Sequence, residues 1–173
     1  DRYDNNIRYV DDQLARLFAV LEEDAVVVYF SDHGEEFWEH KGYEHGHTLF
    51  DELLRVPLVI KAPAMPAGRV GEPVSLLDVT PTVLDALGFK SGGLDGTSLV
   101  PASRDDRGAR AALSDRNLAF GRPLYGSERW GVLSGATKYT TSEGREAAYN
   151  LETDPNEKAN LFLKAEDSDP GAP

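Results

Sequence analysis

Apolar residues recur at helical spacing near the start of the chain: Ile7, Val10, Leu14, Leu17, Phe18 and Leu21 share one face, while Arg8, Asp11, Asp12, Arg16 and Glu22 fill the other. A stripe of this period predicts an amphipathic helix. The period then changes. Ala25-Val26-Val27-Val28-Tyr29-Phe30 is an unbroken apolar, β-branched run, which predicts a strand buried on both faces, the kind found in parallel sheets. A loop over 31–46 dense in Gly, His and Glu follows, then a short helix over 48–54. Val56-Pro57-Leu58-Val59-Ile60 reads as a second buried strand, with Pro57 at its start, where a missing N–H is tolerated. Beyond a Pro/Gly loop over 62–71, Thr80 as N-cap, Pro81 at the first helical position, Val83, Leu84 and Leu87 on one face and Gly88 as terminator mark another helix. Helix, strand, helix, strand, helix is an α/β layout. It predicts that the two strands lie in one sheet, parallel, as neighbours or near neighbours.

After Gly88 the texture changes. Gly92, Gly93 and Gly96 make a loop, and Arg104-Asp105-Asp106-Arg107 reads as a solvated loop. Over 117–151, short runs with Tyr, Trp, Val and Thr alternate with Gly and Ser, the signature of a small antiparallel sheet with Trp130 and Tyr139 in its core. Asp154-Pro155-Asn156 reads as a turn followed by a helix cap. Three segments result: 1–100 as an α/β portion, 101–163 as a small antiparallel β subdomain, and 164–173 as a polar, frayed tail.

The 173 residues suit roughly one domain, and the 40% hydrophobic content suits a globular one. A net charge of −12 repels polyanions, which argues against a nucleic-acid partner. The chain has no cysteine, so disulfides and thiolate zinc sites are excluded. No apolar run reaches the roughly 18 residues of a membrane span.

All four histidines, His33, His40, His45 and His47, fall in one loop interleaved with Asp32, Glu35, Glu36, Glu39 and Glu44. Imidazole and carboxylate together suit a metal or oxyanion site. Position adds to composition, because ligands of open α/β sheets sit beyond the carboxyl ends of strands, and Asp32 and His33 directly follow the run that ends at Phe30. Asp32 offers a hard anionic oxygen and His33 a neutral nitrogen. Gly34 lets the backbone turn so that neighbouring side chains converge on one ion. Asp11 and Asp12 lie on the polar face of the first helix and read as solvated.

In order and spacing, Ser31-Asp32-His33-Gly34-Glu35, Glu39-His40, Gly46-His47-Thr48-Leu49-Phe50 and Leu54-Arg55-Val56-Pro57-Leu58-Val59-Ile60 resemble the sulfatase family of the alkaline phosphatase superfamily. Asp78-Val79-Thr80-Pro81-Thr82 and Tyr149-Asn150-Leu151 with Asp154-Pro155-Asn156-Glu157 and Asn160-Leu161 are similar to two further family segments. The resemblance implies part of an alkaline-phosphatase-like sheet flanked by helices, and a hydrolase of sulfate esters of small molecules or glycans. It implies that Asp32 and His33 are two ligands of a divalent cation. Calcium is usual for the family, and His in place of the common Asn admits manganese or zinc. His47 stands where many members have a Lys that touches the sulfate. His40 and His45 are candidates to donate to ester oxygens or to protonate the leaving group.

The family's nucleophile is a formylglycine made in a C/S-x-P/A-x-R motif, and no such motif occurs in this chain. The nucleophile and the family's other acidic ligands are therefore expected outside it, with the isolated chain inactive. Two alternatives stand beside the sulfatase reading. One is a phosphodiester or phosphonate monoester hydrolase, or a phosphoglycerol transferase, of the same superfamily. The other is a non-catalytic piece that self-associates through apolar surface left uncovered.

Overall fold

A computed structural model describes residues 2–122 and 127–163; the expected frayed tail over 164–173 lies outside the described residues. The amphipathic segment forms α1 (Arg2–Phe18), but none of its residues is buried. The apolar run forms β1 (Val27–Phe30), which pairs with β4 (Leu58–Lys61). The pairing is antiparallel, with Val27 opposite Lys61 and Phe30 opposite Leu58. This corrects the expected parallel arrangement.

The reason lies in the connection. A parallel pair needs a crossover, usually a helix, that carries the chain back to the other end of the sheet. Here the connecting residues are spent on a hairpin of two-residue strands, β2 (Glu36–Phe37) and β3 (Tyr43–Glu44), and on the single turn α2 (Asp51–Leu54). None of these returns the chain, so it re-enters the sheet at the end it left. Burial on both faces of β1 is also corrected, since Tyr29 and Phe30 are exposed. β4 satisfies one edge of the strand, but α1 leaves an open groove between Phe18, Leu21, Val27, Tyr29 and Val59.

The next helix starts earlier than its sequence signals. A 3₁₀ turn, Leu76–Asp78, leads into α3 (Val79–Ala86). The cap is Ser75, whose hydroxyl accepts from Leu77 N while Asp78 accepts from Ser75 N. Thr80 is therefore inside the helix rather than its cap, and Pro81 still falls in the first turn, where its missing N–H costs nothing. Gly88, at φ 79°, ends the helix as expected. Thr82 turns inward, donating to Asp78 O and accepting from Leu99 N. This ties α3 to the small core of Leu99, Ala102 and Leu113, beside α4 (Val100–Ser103) and α5 (Arg107–Asp115). The 104–107 stretch is not simply solvated: Asp106 caps α5 through Ala109 N and Arg104 Nε donates to Ala64 O.

Four antiparallel strands complete the fold in sequence order: β5 (Asn117–Arg122), β6 (Arg129–Ser134), β7 (Thr137–Ser142) and β8 (Arg145–Asn150). The two-residue turn Glu143-Gly144 has both residues at positive φ, which matches the twist of the flanking strands. Strand alternation decides which side chains are buried. The face that carries Lys138 and its cross-strand partner Tyr149 turns toward Phe50, next to α2. Trp130 and Tyr139 project from the opposite face and are exposed, which corrects their expected place in the core. After β8, Asp154 closes a turn by accepting from Lys158 N and Ala159 N, and no helix follows it among the described residues.

Candidate functional site at the histidine loop

The loop from Ser31 to Phe50 is held at the carboxyl end of β1 by close backbone contact. Gly34 N donates to Leu53 O at 2.8 Å. A Cβ on Gly34 would lie 1.9 Å from Glu52 O, so no side chain fits there. The glycine thus serves close approach to α2, and its φ is not positive.

Asp32 is the most open of the candidates, its side chain 83% exposed. One of its oxygens accepts from His33 N at 3.1 Å. The His33 ring lies 2.8 Å from Gly34 O through Nδ1. A carbonyl only accepts, so Nδ1 carries a proton, and in the neutral ring the lone pair is on Nε2, 3.7 Å from Asp32 Oδ1. Tying one imidazole nitrogen to a carbonyl is how ligating histidines are oriented. The His45 ring stacks on His33 at 4.0 Å, and its Nδ1 lies 3.0 Å from Glu35 Oε1. Asp32, His33, Glu35 and His45 therefore form one group, exposed except for the half-buried Glu35.

His47 belongs to a second arrangement built around Glu36, which is 0% exposed. Glu36 Oε1 accepts from Gly42 N at 2.6 Å and from His40 N at 3.0 Å. Glu36 Oε2 meets His47 Nε2 at 2.7 Å. Burial pushes the Glu36 carboxyl up, but donation from Gly42, His47 and His40 outweighs it and holds the group below its ordinary value. The carboxylate is thus ionised and acceptor-only.

His40 is a third case. Its side chain is 11% exposed and its ring stacks on Phe50 at 3.5 Å. Nδ1 meets Glu52 Oε1 at 2.5 Å, while Nε2 donates to Asn156 O at 3.0 Å. Both nitrogens are used within the chain, so His40 ties the loop to the C-terminal turn. Close by, Lys138 is 1% exposed and sits 2.8 Å from both Asp51 Oδ1 and Glu157 Oε1. Direction is good only toward Asp51, so the Glu157 contact is held by charge. Glu157 Oε2 accepts from Asp51 N at 2.7 Å. Lys138 and Asp51 gave no sign of this in the sequence. Glu157 did, through its place in the C-terminal segment, though without a role.

Asp32 and His33 are the residues that could hold part of a divalent-cation site. Asp32 supplies a hard oxygen and His33 a nitrogen with its lone pair free, side by side. Calcium takes 6–8 oxygens and magnesium an octahedron. Among the described residues no group of three or more His, Cys, Asp or Glu side chains could hold an ion. Asp32 and His33 could therefore give such a cation two ligands, and the remainder would have to come from other groups.

The family model described as Sulfatase matches residues 1–89. Choline-sulfatase of Rhizobium meliloti (strain 1021) is 31% identical over 170 residues, which are 92% of this chain and 32% of that protein. The uncharacterized sulfatase YidJ of Escherichia coli (strain K12) is 27% identical over 166 residues, 89% of this chain and 32% of that one. This chain thus spans about a third of the length of these relatives. The structure of BT1596, a 2-O GAG sulfatase, superposes with a TM-score of 0.65 at 22% identity over 82% of this chain and 32% of that one, a likeness of fold. That fold is the alkaline-phosphatase-like sheet flanked by helices, followed here by a small antiparallel sheet. Because the family model covers more than half of the residues and the relatives extend the match through the C-terminal sheet, the chain belongs to the sulfatase family.

Proposed function

We propose that the protein hydrolyses sulfate esters of small molecules or glycans, and that this chain contributes Asp32 and His33 to a divalent-cation site and His47 and His45 to the substrate side. The observation that carries the reading is the pair at the end of β1: His33 Nδ1 is spent on Gly34 O and Nε2 is left beside the exposed Asp32 carboxylate. A cation bound there supplies Lewis-acid stabilisation of charge on the ester oxygens. Calcium is the family's usual ion, and the imidazole admits manganese or zinc. In this chain, Gly34 O sets the tautomer of His33, and the Glu35 carboxylate holds His45 stacked on the same ring. His40 spends both nitrogens on Glu52 and the 156–157 carbonyls, which suits positioning the loop better than contact with an ester.

The donor pair also suits phosphodiester or phosphonate monoester hydrolysis, since His33 brings nitrogen to the site. The two chemistries separate in one assay. A protein of the relatives' length containing this chain should release 4-nitrophenol from 4-nitrophenyl sulfate faster than from bis(4-nitrophenyl) phosphate, and Asp32→Ala should reduce the sulfate rate at least about 100-fold, because losing a ligand costs no less than losing a group that merely orients one. The reverse preference would replace the sulfatase reading with the phosphate one, and an undiminished rate in Asp32→Ala would remove the cation assignment. The 173-residue chain alone should match buffer, because it holds two ligands and no nucleophile motif.

A further inference from the structure

We propose that Glu36 is the positioning residue of His47: it holds the proton on Nε2 and so turns Nδ1, across the ring, toward the substrate. The inference rests on the substrate-side role proposed for His47, but its geometry stands without it. Glu36 is fully buried in the middle of a loop where Asp32, Glu39 and Glu44 are exposed and Glu35 is half-buried. A buried carboxylate with missing donors is costly, and this one is supplied by two backbone N–H groups and one imidazole. The backbone donors fix the carboxylate plane through Oε1. Only Oε2 remains, and it is aimed at His47 Nε2 at 2.7 Å.

The loop is shaped around this contact. A Cβ at Gly42 would lie 2.3 Å from His47 Nε2 and 2.6 Å from Glu36 Oε2. Any side chain at position 42 would push the ring and the carboxylate apart. Gly42 therefore serves the Glu36–His47 pair rather than a positive φ, which it does not adopt. The turn that presents Gly42 N to Glu36 takes its left-handed residue at Lys41 instead, at φ 67°, a conformation uncommon outside glycine. Glu36, Lys41 and Gly42 thus act together on one ring.

A carboxylate behind an imidazole fixes its tautomer and orientation without touching the reacting atoms. Replacement by an amide tests this directly. In Glu36→Gln the acceptor facing Nε2 becomes an NH2 donor while Oε1 still receives the two backbone N–H groups. His47 must then accept at Nε2 and carry its proton on Nδ1. Nitrogen-15 NMR of the protein above the imidazole titration should show His47 protonated at Nε2 in the wild type and at Nδ1 in Glu36→Gln. Gly42→Ala, with Glu36 intact, should also lose the Nε2-protonated form. Turnover of 4-nitrophenyl sulfate should fall roughly 10–100-fold in Glu36→Gln, the range for carboxylates that orient a histidine. A wild-type His47 that averages over both tautomers, or carries its proton on Nδ1, would overturn the assignment whether or not the variants fold. The expected tautomers together with no sulfate hydrolysis by the wild type would instead sink the sulfatase reading and leave the role of Glu36 standing.

Discussion

Asp78 shows what a buried charge demands of its neighbours. It is fully buried, yet it takes Arg116 on both oxygens, at 2.8 and 2.5 Å, along with Ser75 N and Thr97 N. Burial pushes its carboxyl up, but Arg116 and the backbone donors outweigh that and hold it below the ordinary 3.8. A native value below the unfolded one stabilises the fold at pH above the unfolded value, and the contribution is lost as pH falls through the native value. The protein should therefore lose stability on the acid side of about pH 4, and urea unfolding of Asp78→Asn should show a shallower loss between pH 5 and 2. Arg116→Ala leaves the carboxylate buried without its cation and should cost about 3–5 kcal/mol at pH 7. An unchanged urea midpoint would mean that the pair carries no stability. In the sequence Asp78 was visible only as part of a family-like helix start. Its partner, 38 residues further on, was not, because nothing local marks an arginine that pairs at that distance.

Between elements, the C-terminal sheet and turn grip the histidine loop. Lys138 on β7 reaches Asp51 at the start of α2, Glu157 accepts from Asp51 N, the carbonyls of Asn156 and Glu157 receive His40, and Lys158 donates to Glu39 O. Burial and the neighbouring Asp51 push the Glu157 carboxyl up, and the Lys138 cation opposes this without reversing it. Lys138 is thus what makes a charged Glu157 tolerable. Lys138→Met should cost about 3–5 kcal/mol, because it strands a carboxylate, while the double change with Glu157→Leu should recover most of that. In both, amide hydrogen exchange at 39–42 should quicken, since the clamp on the loop is weakened. Equal stability of Lys138→Met and wild type by thermal melting would show that the cluster is decorative. The alternation of β7 placed Lys138 on one face and Tyr139 on the other, and period alone cannot say which face meets the rest of the chain.

For the whole molecule, the notable quantity is surface. The accessible area is 12430 Å², whereas a folded monomer of 19.0 kDa exposes about 8,400 Å² by size scaling. Large apolar side chains lie on that surface: Tyr3, Ile7, Val10, Leu17 and Phe18 on α1, and Tyr29, Phe30 and Val59 on the two-stranded sheet. Water does not leave such a face uncovered at high concentration. The 173 residues by themselves should therefore self-associate, and sedimentation equilibrium at high micromolar concentration should give a mass above 19.0 kDa. A clean monomer there would reject the idea. The antiparallel pairing of β1 with β4 also bears on this scale. The α/β layout predicts a parallel pair; the pairing is antiparallel, and family membership holds without it.

Residue order alone settled what local chemistry settles. Helical period marked α1, β-branched runs marked β1 and β4, turn residues marked the four-stranded sheet, and the clustering of every histidine after a strand end marked the loop proposed as the site. Each of these signals is read within a window of a few residues, where side-chain period and backbone preference operate. Tertiary structure alone decided the direction of β1 against β4, the face of β7 that is buried, and which partners each histidine meets. His33, His40 and His47 are alike in sequence, but their ring nitrogens differ in partner: a carbonyl one residue away, a turn more than a hundred residues on, and a carboxylate buried within the same loop. An imidazole takes its tautomer and its role from whatever lies 3 Å from each nitrogen, and for two of the three that neighbour is supplied only by folding.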